Sequence, residues 1–310
     1  MKKSFFSLLS FILFLACSFS VLAQNNQKPY LTKSFNLTGA GNLITNTSGG
    51  SISVTGTSGN SVKVIMYVRP NNSKNGNEIP SAEALEKYRF DVRQEGNTVY
   101  AVAERKDNKW DNKTALNVSF EIEVPQNITS KLNTSGGSIS LTNVSGKQQA
   151  STSGGSLNFQ NIKGDVNGST SGGSIVVSKL DGNLDASTSG GSIKLTEATG
   201  ALKVSTSGGS ITLNKVSGDI SAHTSGGSIR ADVEKIGKFL TLSTSGGSVH
   251  ATIPNGLGLD LDLSGNRVKT TVSNFSGTAK DDRIKGSMNG GGIPVKMSTS
   301  GGTTELSYRM

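Results

Sequence analysis

The chain has a single cysteine, Cys17, and it lies in a stretch that reads as a removable leader. The remainder then has no disulfide and no thiolate nucleophile, so its stability must come from packing and backbone pairing alone. Histidine is nearly absent too: His223 and His250 are the only two. With no cysteine or paired acids beside them they supply too few ligands for a metal centre, and both read as surface substitutions. Aromatic residues make up 5% of the chain, and none interleaves with the scattered basic residues Lys147, Lys163, Lys179, Lys194, Lys203 and Lys215. A nucleic-acid surface wants a basic patch with stacking or groove-reading side chains, so that class of partner is excluded. The formal charge of +9 permits weak attraction to acidic polysaccharide or anionic cell surfaces.

Long apolar runs are missing except at the start. Lys2 and Lys3 precede Phe5–Leu22, which is apolar apart from four serines, and Val21-Leu22-Ala23 supplies a cleavage site before Gln24. Residues 1–23 therefore read as a signal peptide, leaving a mature chain with no transmembrane segment and a formal charge of +7 once the two lysines are gone. The chain is expected to be exported, to the periplasm, the outer-membrane surface or beyond. Lipid anchoring at Cys17 is the alternative, and the apolar run continuing past it to Ala23 argues against that.

What the chain does have is glycine, 39 residues of it, and much of it is periodic. Thr-Ser-Gly-Gly-Ser begins at Thr134, Thr152, Thr170, Thr188, Thr206 and Thr224, five successive intervals of 18 residues. It returns at Thr244 after a two-residue insertion, stands alone at Thr47, and closes as Thr-Ser-Gly-Gly-Thr from Thr299. A fixed period this short is the mark of a solenoid, whose repeats bury their apolar sides only by stacking on one another.

After the closing serine, the first and third residues are apolar in every repeat: Ile139 and Leu141, Leu157 and Phe159, Ile175 and Val177, Ile193 and Leu195, Ile211 and Leu213. Residues between them are nearly always polar, which is the alternation of a half-buried strand. Val144, Ile162, Leu180, Ala198 and Val216 form a further apolar column, with a glycine two residues later each time. Val166 and Gly168, Leu184 and Ala186, Leu202 and Val204, Ile220 and Ala222 repeat the pattern in a second strand. The sequence thus predicts an all-β, single-chain parallel β-solenoid, β-helix or β-roll in type, built of 18-residue two-strand coils with two glycine turns per coil. Its core should be narrow, with no room for an interior ligand. At both turns glycine is expected to supply backbone shapes that a β-carbon resists.

The flanks should be caps. Residues 24–130 read as a β-rich N-terminal cap holding one early coil, Thr47 to Thr55. Strands are expected at Ser61–Arg69, Arg89–Gln94, Thr98–Glu104 and Leu116–Val124, with a short capped helix at Ser81–Lys87. Polar loops fall at Asn71–Ile79 and at Arg105–Lys113, the second carrying the only tryptophan, Trp110. Residues 131–253 are the regular coils. Residues 254–310 are irregular coils and a C-terminal cap, with strand pattern resuming from Met288.

Three stretches together carry a resemblance: Asn46–Val54, the Phe120–Pro125 strand leading into the repeated motif, and Ile284–Gly292. The arrangement resembles a bacterial family of unknown function, catalogued as putative adhesins with β-strand repeats and found in Bacteroidota-like bacteria. Signal peptides there often end Ala-Gln, as Ala23-Gln24 does here. The resemblance implies a β-solenoid exported to the envelope and carries over no functional residues.

Enzymatic alternatives find little footing. Glycoside hydrolysis wants two carboxylates at a defined separation, whereas Asp165, Asp181, Asp185, Glu197 and Asp219 are dispersed, and no column has acids in successive coils. Calcium β-rolls need an aspartate at a fixed offset after the glycine pair, where this chain has Ser140, Asn158, Val176 or Lys194. The serines flanking each motif threonine could form a hydroxyl ladder able to meet ice, but the alternation points those threonines inward to bond turn backbone. Sugar recognition normally uses an aromatic platform, which the regular coils lack; any such site would use Trp110 with Tyr88 or Tyr100, residues more often used to build a cap core. The sequence therefore predicts a non-enzymatic surface or interaction module of the adhesin kind, without cofactor, whose partner is a cell-surface glycan or protein. The alternative is a carbohydrate-binding or carbohydrate-active envelope protein using the N-terminal cap.

Overall fold

The computed structural model describes residues 28–71, 73, 78–107 and 111–309. The leader with Cys17, and Trp110, lie outside these residues. The N-terminal part runs β1 (Leu31–Asn36), β2 (Gly41–Thr47), β3 (Ile52–Thr57), β4 (Ser61–Pro70), helix α1 (Ala82–Glu86), β5 (Tyr88–Glu95), β6 (Thr98–Arg105) and β7 (Leu116–Pro125). Ser81 caps α1, its side chain accepting from the Ala84 amide. The repeats follow as β8 (Ile128–Thr134), β9 (Ile139–Ser145), β10 (Gln148–Thr152), β11 (Leu157–Lys163), β12 (Val166–Thr170), β13 (Ile175–Asp181) and β14 (Leu184–Thr188). Three long strands continue them: β15 (Ile193–Thr206), β16 (Ile211–Thr224) and β17 (Ile229–Thr244). The chain ends with β18 (Val249–Pro254), β19 (Leu259–Ser264), β20 (Arg267–Lys269), β21 (Phe275–Ala279), β22 (Arg283–Met288), β23 (Ile293–Thr299) and β24 (Thr303–Arg309).

The protein is all-β, and the 24 strands among the described residues belong to one hydrogen-bonded sheet that is nearly closed on itself. Through the repeats, pairing is parallel with an 18-residue offset: Leu157 faces Ile139 on one side and Ile175 on the other, and Val166 lies between Gln148 and Leu184. β15, β16 and β17 each run through the corner from one ladder into the other, which is what joins the two into a single sheet.

Alternation decides what lies inside. Ile139, Leu157, Ile175, Ile193 and Ile211 are at most 1% exposed, as are Leu141, Phe159, Val177, Leu195 and Leu213. Bulk is matched across the narrow core: the repeat with Phe159 has Gly168 opposite, where a β-carbon would sit 3.0 Å from the ring. Neighbouring repeats place Ala150 and Ala186 at that position and a smaller Leu141 or Val177 across from it.

The motif turns work differently from the sequence expectation. Thr152 Oγ1 donates to the Gly137 carbonyl of the repeat before (2.8 Å) and accepts from the Gly155 amide of its own turn (3.3 Å); Thr170, Thr188, Thr206 and Thr224 make the same donation. The threonines point in, as the alternation requires. Within the regular repeats, glycines with left-handed φ stand at the other corner, at Gly146, Gly164, Gly182, Gly200 and Gly218, and not in the motif turn, so the expectation of special backbone shape at both turns is corrected. In Thr-Ser-Gly-Gly the demand is steric. A β-carbon on Gly155 would lie 1.9 Å from the Gly137 oxygen, because successive turns lie carbonyl against α-carbon. A second column also takes left-handed backbone without glycine: Asn143, Asn161, Lys179, Glu197 and Lys215 have φ between +53° and +59°.

Stacking order departs from chain order at both ends. β2 and β3 lie between β6 and β7 on one side and β8 and β9 on the other. β23 and β24 lie between β17 and β18 on one side and β19 and β20 on the other. The isolated motif copies therefore sit within the motif column rather than beyond it. Thr134 Oγ1 donates to the Gly50 carbonyl, 84 residues away, and Thr299 Oγ1 to the Gly247 carbonyl, 52 residues away. Antiparallel strands close the two ends: β1 on β4 on β7, β5 on β6, and β21 on β22 on β19. On edge strand β1, Lys33 sits in phase with Leu31 and Phe35 and donates to the Val92 carbonyl (2.7 Å), a charge that discourages further strand pairing there.

Candidate functional site

The aromatic residues of the N-terminal end do not gather into one platform. Tyr88 is buried at 5% exposure and its hydroxyl accepts from the Leu116 amide (3.0 Å), so it serves the core. Its ring lies 6.1 Å from Phe90, which in turn lies 5.5 Å from Tyr30, itself about half exposed. Tyr100 pairs with Arg93 towards the far end of the β5–β6 hairpin, and the Arg93 guanidinium covers its ring at 4.3 Å. Around Tyr88 the loop is fastened by a polar knot that sequence reading passed over. Arg105 donates from Nη2 to Thr114 Oγ1 (3.2 Å), Thr114 donates to Asp111 (3.1 Å), and Asp111 also accepts from the Lys113 amide (3.0 Å). The Lys113 amide, then Thr114, hold the Asp111 carboxyl below the usual carboxylate range.

On the regular repeats, a shallow groove of about 350 Å³ follows the corner after the left-handed glycines. Val166 and Leu184 form its floor, and its rims carry Lys147, Asp165, Asn167, Asn183, Asp185 and Lys203. Asn183 donates to Asp165 (2.9 Å) and accepts from the Ala201 amide (3.1 Å), while Lys203 pairs with Asp185 (3.0 Å). Each carboxylate is thus held by the next repeat along. The groove presents donors and acceptors at the strand spacing of ~4.8 Å, an arrangement that suits hydrogen bonding to an extended polar chain.

A third cluster lies where the last strands stack. Arg230, His250 and Glu305 occupy one outward column, with His250 Nδ1 3.2 Å from Glu305, and Asp232 pairs with Arg309 nearby. Arg230, Asp232, His250 and Glu305 rim a cavity of about 260 Å³. The alternation placed His250 on the outside; its partner is 55 residues away and becomes adjacent only through the intercalation of β24. His223 likewise faces outward, 2.9 Å from Ser243 Oγ. Among the described residues no group of three or more His, Cys, Asp or Glu converges on a common point, and no helix is long and apolar enough to cross a membrane.

No family model and no curated protein matches the chain. Solved structures are similar to it, three of them as follows. One is a putative adhesin from Bacteroides fragilis, 13% identical, covering 90% of this chain and 99% of its own, with a TM-score of 0.40. Another is a putative lipid binding protein from Parabacteroides distasonis, 14% identical over 90% of this chain and 96% of its own, with a TM-score of 0.48. The third is a putative cell adhesion protein from Clostridium sporogenes, 12% identical over 91% of this chain and 100% of its own, with a TM-score of 0.21.

Proposed function

We propose that the chain is an exported, non-enzymatic parallel β-solenoid of 18-residue two-strand coils, acting as a surface interaction module of the adhesin kind. Residues 131–253 form its shaft, and residues 24–130 and 254–310 its ends. One observation carries the reading. Eleven strands from β7 to β20 (β7, β3, β9, β11, β13, β15, β16, β17, β18, β24, β20) pair in parallel without a break. Ten steps of ~4.8 Å make a stack of about 48 Å, shaft and parallel-paired end strands together. A ladder cross-linked by backbone bonds at every step is stiff, and its outward columns are polar. Such a shaft suits holding a contact surface away from an anchoring point, and suits a glycan or protein partner on a cell surface.

The test is binding of the mature protein to glycan arrays and whole cells, repeated after deletion of Thr170–Ser187. That cut joins Ser169 to Thr188 and restores the native motif, so folding should persist with the shaft one repeat shorter. Retained binding supports a shaft with its contact surface at an end. Lost binding with unchanged circular dichroism and melting would move the contact surface onto the repeats.

A second reading, carbohydrate binding at the N-terminal end, is favoured by the exposed Tyr30 beside Phe90. Loss of glycan binding in Tyr30→Ala or Trp110→Ala, with the shaft intact, would support it.

A further inference from the structure

We propose that Asn255 is a built-in site of spontaneous backbone rearrangement, through which the protein acquires a carboxylate and an isoaspartyl linkage at one exposed turn as it ages. The reaction is intramolecular. The Gly256 amide nitrogen, after losing its proton to solvent base, attacks the Asn255 side-chain carbonyl carbon. A new nitrogen–carbon bond closes a succinimide, and the carbon–Nδ2 bond breaks, with the leaving nitrogen taking a proton and departing as ammonia. Water then opens the ring at either carbonyl, leaving aspartate or isoaspartate. The co-reactant is water alone, and no electrons are exchanged.

The geometry selects this residue. Asn255 and Gly256 are both exposed, in the bend between β18 and β19. The Gly256 N–H donates to Asn255 Oδ1 (2.8 Å), which folds the Asn255 side chain back beside the nitrogen that must attack its carbonyl carbon. Gly256 has a φ of +77°, and no atom crowds its α-carbon. Keeping the nucleophile and the carbonyl group close to each other is how an intramolecular step gains much of its rate.

Two other Asn-Gly pairs in the described residues are restrained. Asn167-Gly168 lies inside β12, paired on both faces with β10 and β14, and extended backbone keeps nucleophile and carbonyl apart. The Asn289 side chain is tied at both ends: Nδ2 donates to the Leu257 carbonyl (3.1 Å) and Oδ1 accepts from Asn274 (3.3 Å). The sequence motif is the same in all three, and the fold separates them.

The experiment is peptide mapping by mass spectrometry on full-length mature protein held in mildly alkaline buffer, sampled over weeks, in parallel with a sample unfolded in urea. In the folded protein, conversion at Asn255 should exceed that at Asn167 and Asn289 by at least about tenfold, while in urea the three rates should converge. Asn255→Ser should abolish the acidic variant that accumulates on ion exchange, and Asn289→Ser should leave it. Equal folded-state rates at the three sites, or the same ranking in urea as in the fold, would overturn the proposal. So would an Asn255 that stays intact while the unfolded chain converts.

Discussion

Replacing Gly155 by alanine should be far more damaging than replacing its neighbour Gly154, although the two look interchangeable in the motif. A β-carbon on Gly155 would stand 1.9 Å from the Gly137 oxygen, 2.3 Å from that carbonyl carbon and 2.6 Å from the Ser138 nitrogen. All three are backbone atoms of the adjoining repeat and have no side-chain freedom with which to move aside. Reaching ordinary contact at ~3.4 Å would need the two turns to part by about 1.5 Å. The bonds exposed to that movement are Gly155 N to Thr152 Oγ1, Thr152 Oγ1 to the Gly137 carbonyl, and Ser156 N to Ser138 Oγ. At roughly 0.5–1.5 kcal/mol each, with about 1–3 kcal/mol of overpacking strain, the total comes to about 2.5–7.5 kcal/mol. On Gly154 the nearest atom would be 3.5 Å away, and its φ is not left-handed. That substitution should change stability by no more than about 1 kcal/mol, with the restricted unfolded chain offsetting part of any loss. Urea unfolding followed by circular dichroism measures the difference. Hydrogen exchange at the Ile139 and Leu157 amides, which flank the turn, keeps the result readable where a repeat array opens locally. Equal losses from the two variants would mean that the turns are not stacked carbonyl on α-carbon, and the steric account of the motif would fail.

Leu195, inward between Val177 and Leu213, should lose several kcal/mol as Leu195→Asp, while Lys194→Asp on the outward column should cost under about 1 kcal/mol; thermal melting compares them, and equal effects would refute the strand phase. Thr45 lies in an apolar column between Ala101 and Leu132, with its hydroxyl buried and without a partner, so Thr45→Val should stabilise by about 1 kcal/mol in urea unfolding, and destabilisation would show that the hydroxyl is satisfied. Burial raises the Tyr308 phenol above its ordinary range against a smaller opposing effect of Thr270, so the folded state binds that proton more tightly than the unfolded chain. The stability tied to it is present below the ordinary tyrosine value and is lost as pH rises through the folded one. Alkaline absorbance titration of Tyr308→Phe should therefore lack one late-ionising phenol, and an unchanged titration would contradict the burial.

The regular repeats were legible because each inward position recurs at a fixed interval, and a strand can satisfy a two-residue alternation in only one phase. Phe159 could be placed in the core on that ground alone, and the polar column with His250 on the outside. The ends were less legible because their determinants are not local. Thr47 and Thr299 carry the motif, but nothing near them in sequence says that each intercalates between strands reached tens of residues later. The left-handed column at Asn143, Asn161, Lys179, Glu197 and Lys215 was missed for a different reason. Asparagine tolerates that backbone, but lysine and glutamate give no local sign of it, so the conformation is imposed by the ladder. The candidate surfaces suffer in the same way. The groove rim and the His250–Glu305 pair are assembled from residues of modest individual character, brought together by stacking alone.

Interleaving also bears on why a stack with so many identical turns does not slide or extend. Within residues 131–253 any motif turn could in principle accept any other, since each offers the same threonine, the same glycine pair and the same serine. A slip by one period would preserve every contact between motif turns. What it cannot preserve is the pairing of β2–β3 with β8–β9, or of β23–β24 with β17–β18, because those repeats are bracketed on their other side by β6–β7 and by β19–β20. Each intercalated repeat is gripped from both sides by segments that leave and rejoin the stack through antiparallel strands. A slip would therefore have to break two interfaces at each end at once. The register of the featureless middle is set by the irregular ends, and those ends owe their irregularity to long-range closure, which is costly in chain entropy before any contact compensates it. The expected consequence is a fold whose repeats form locally and quickly, and whose end strands dock last.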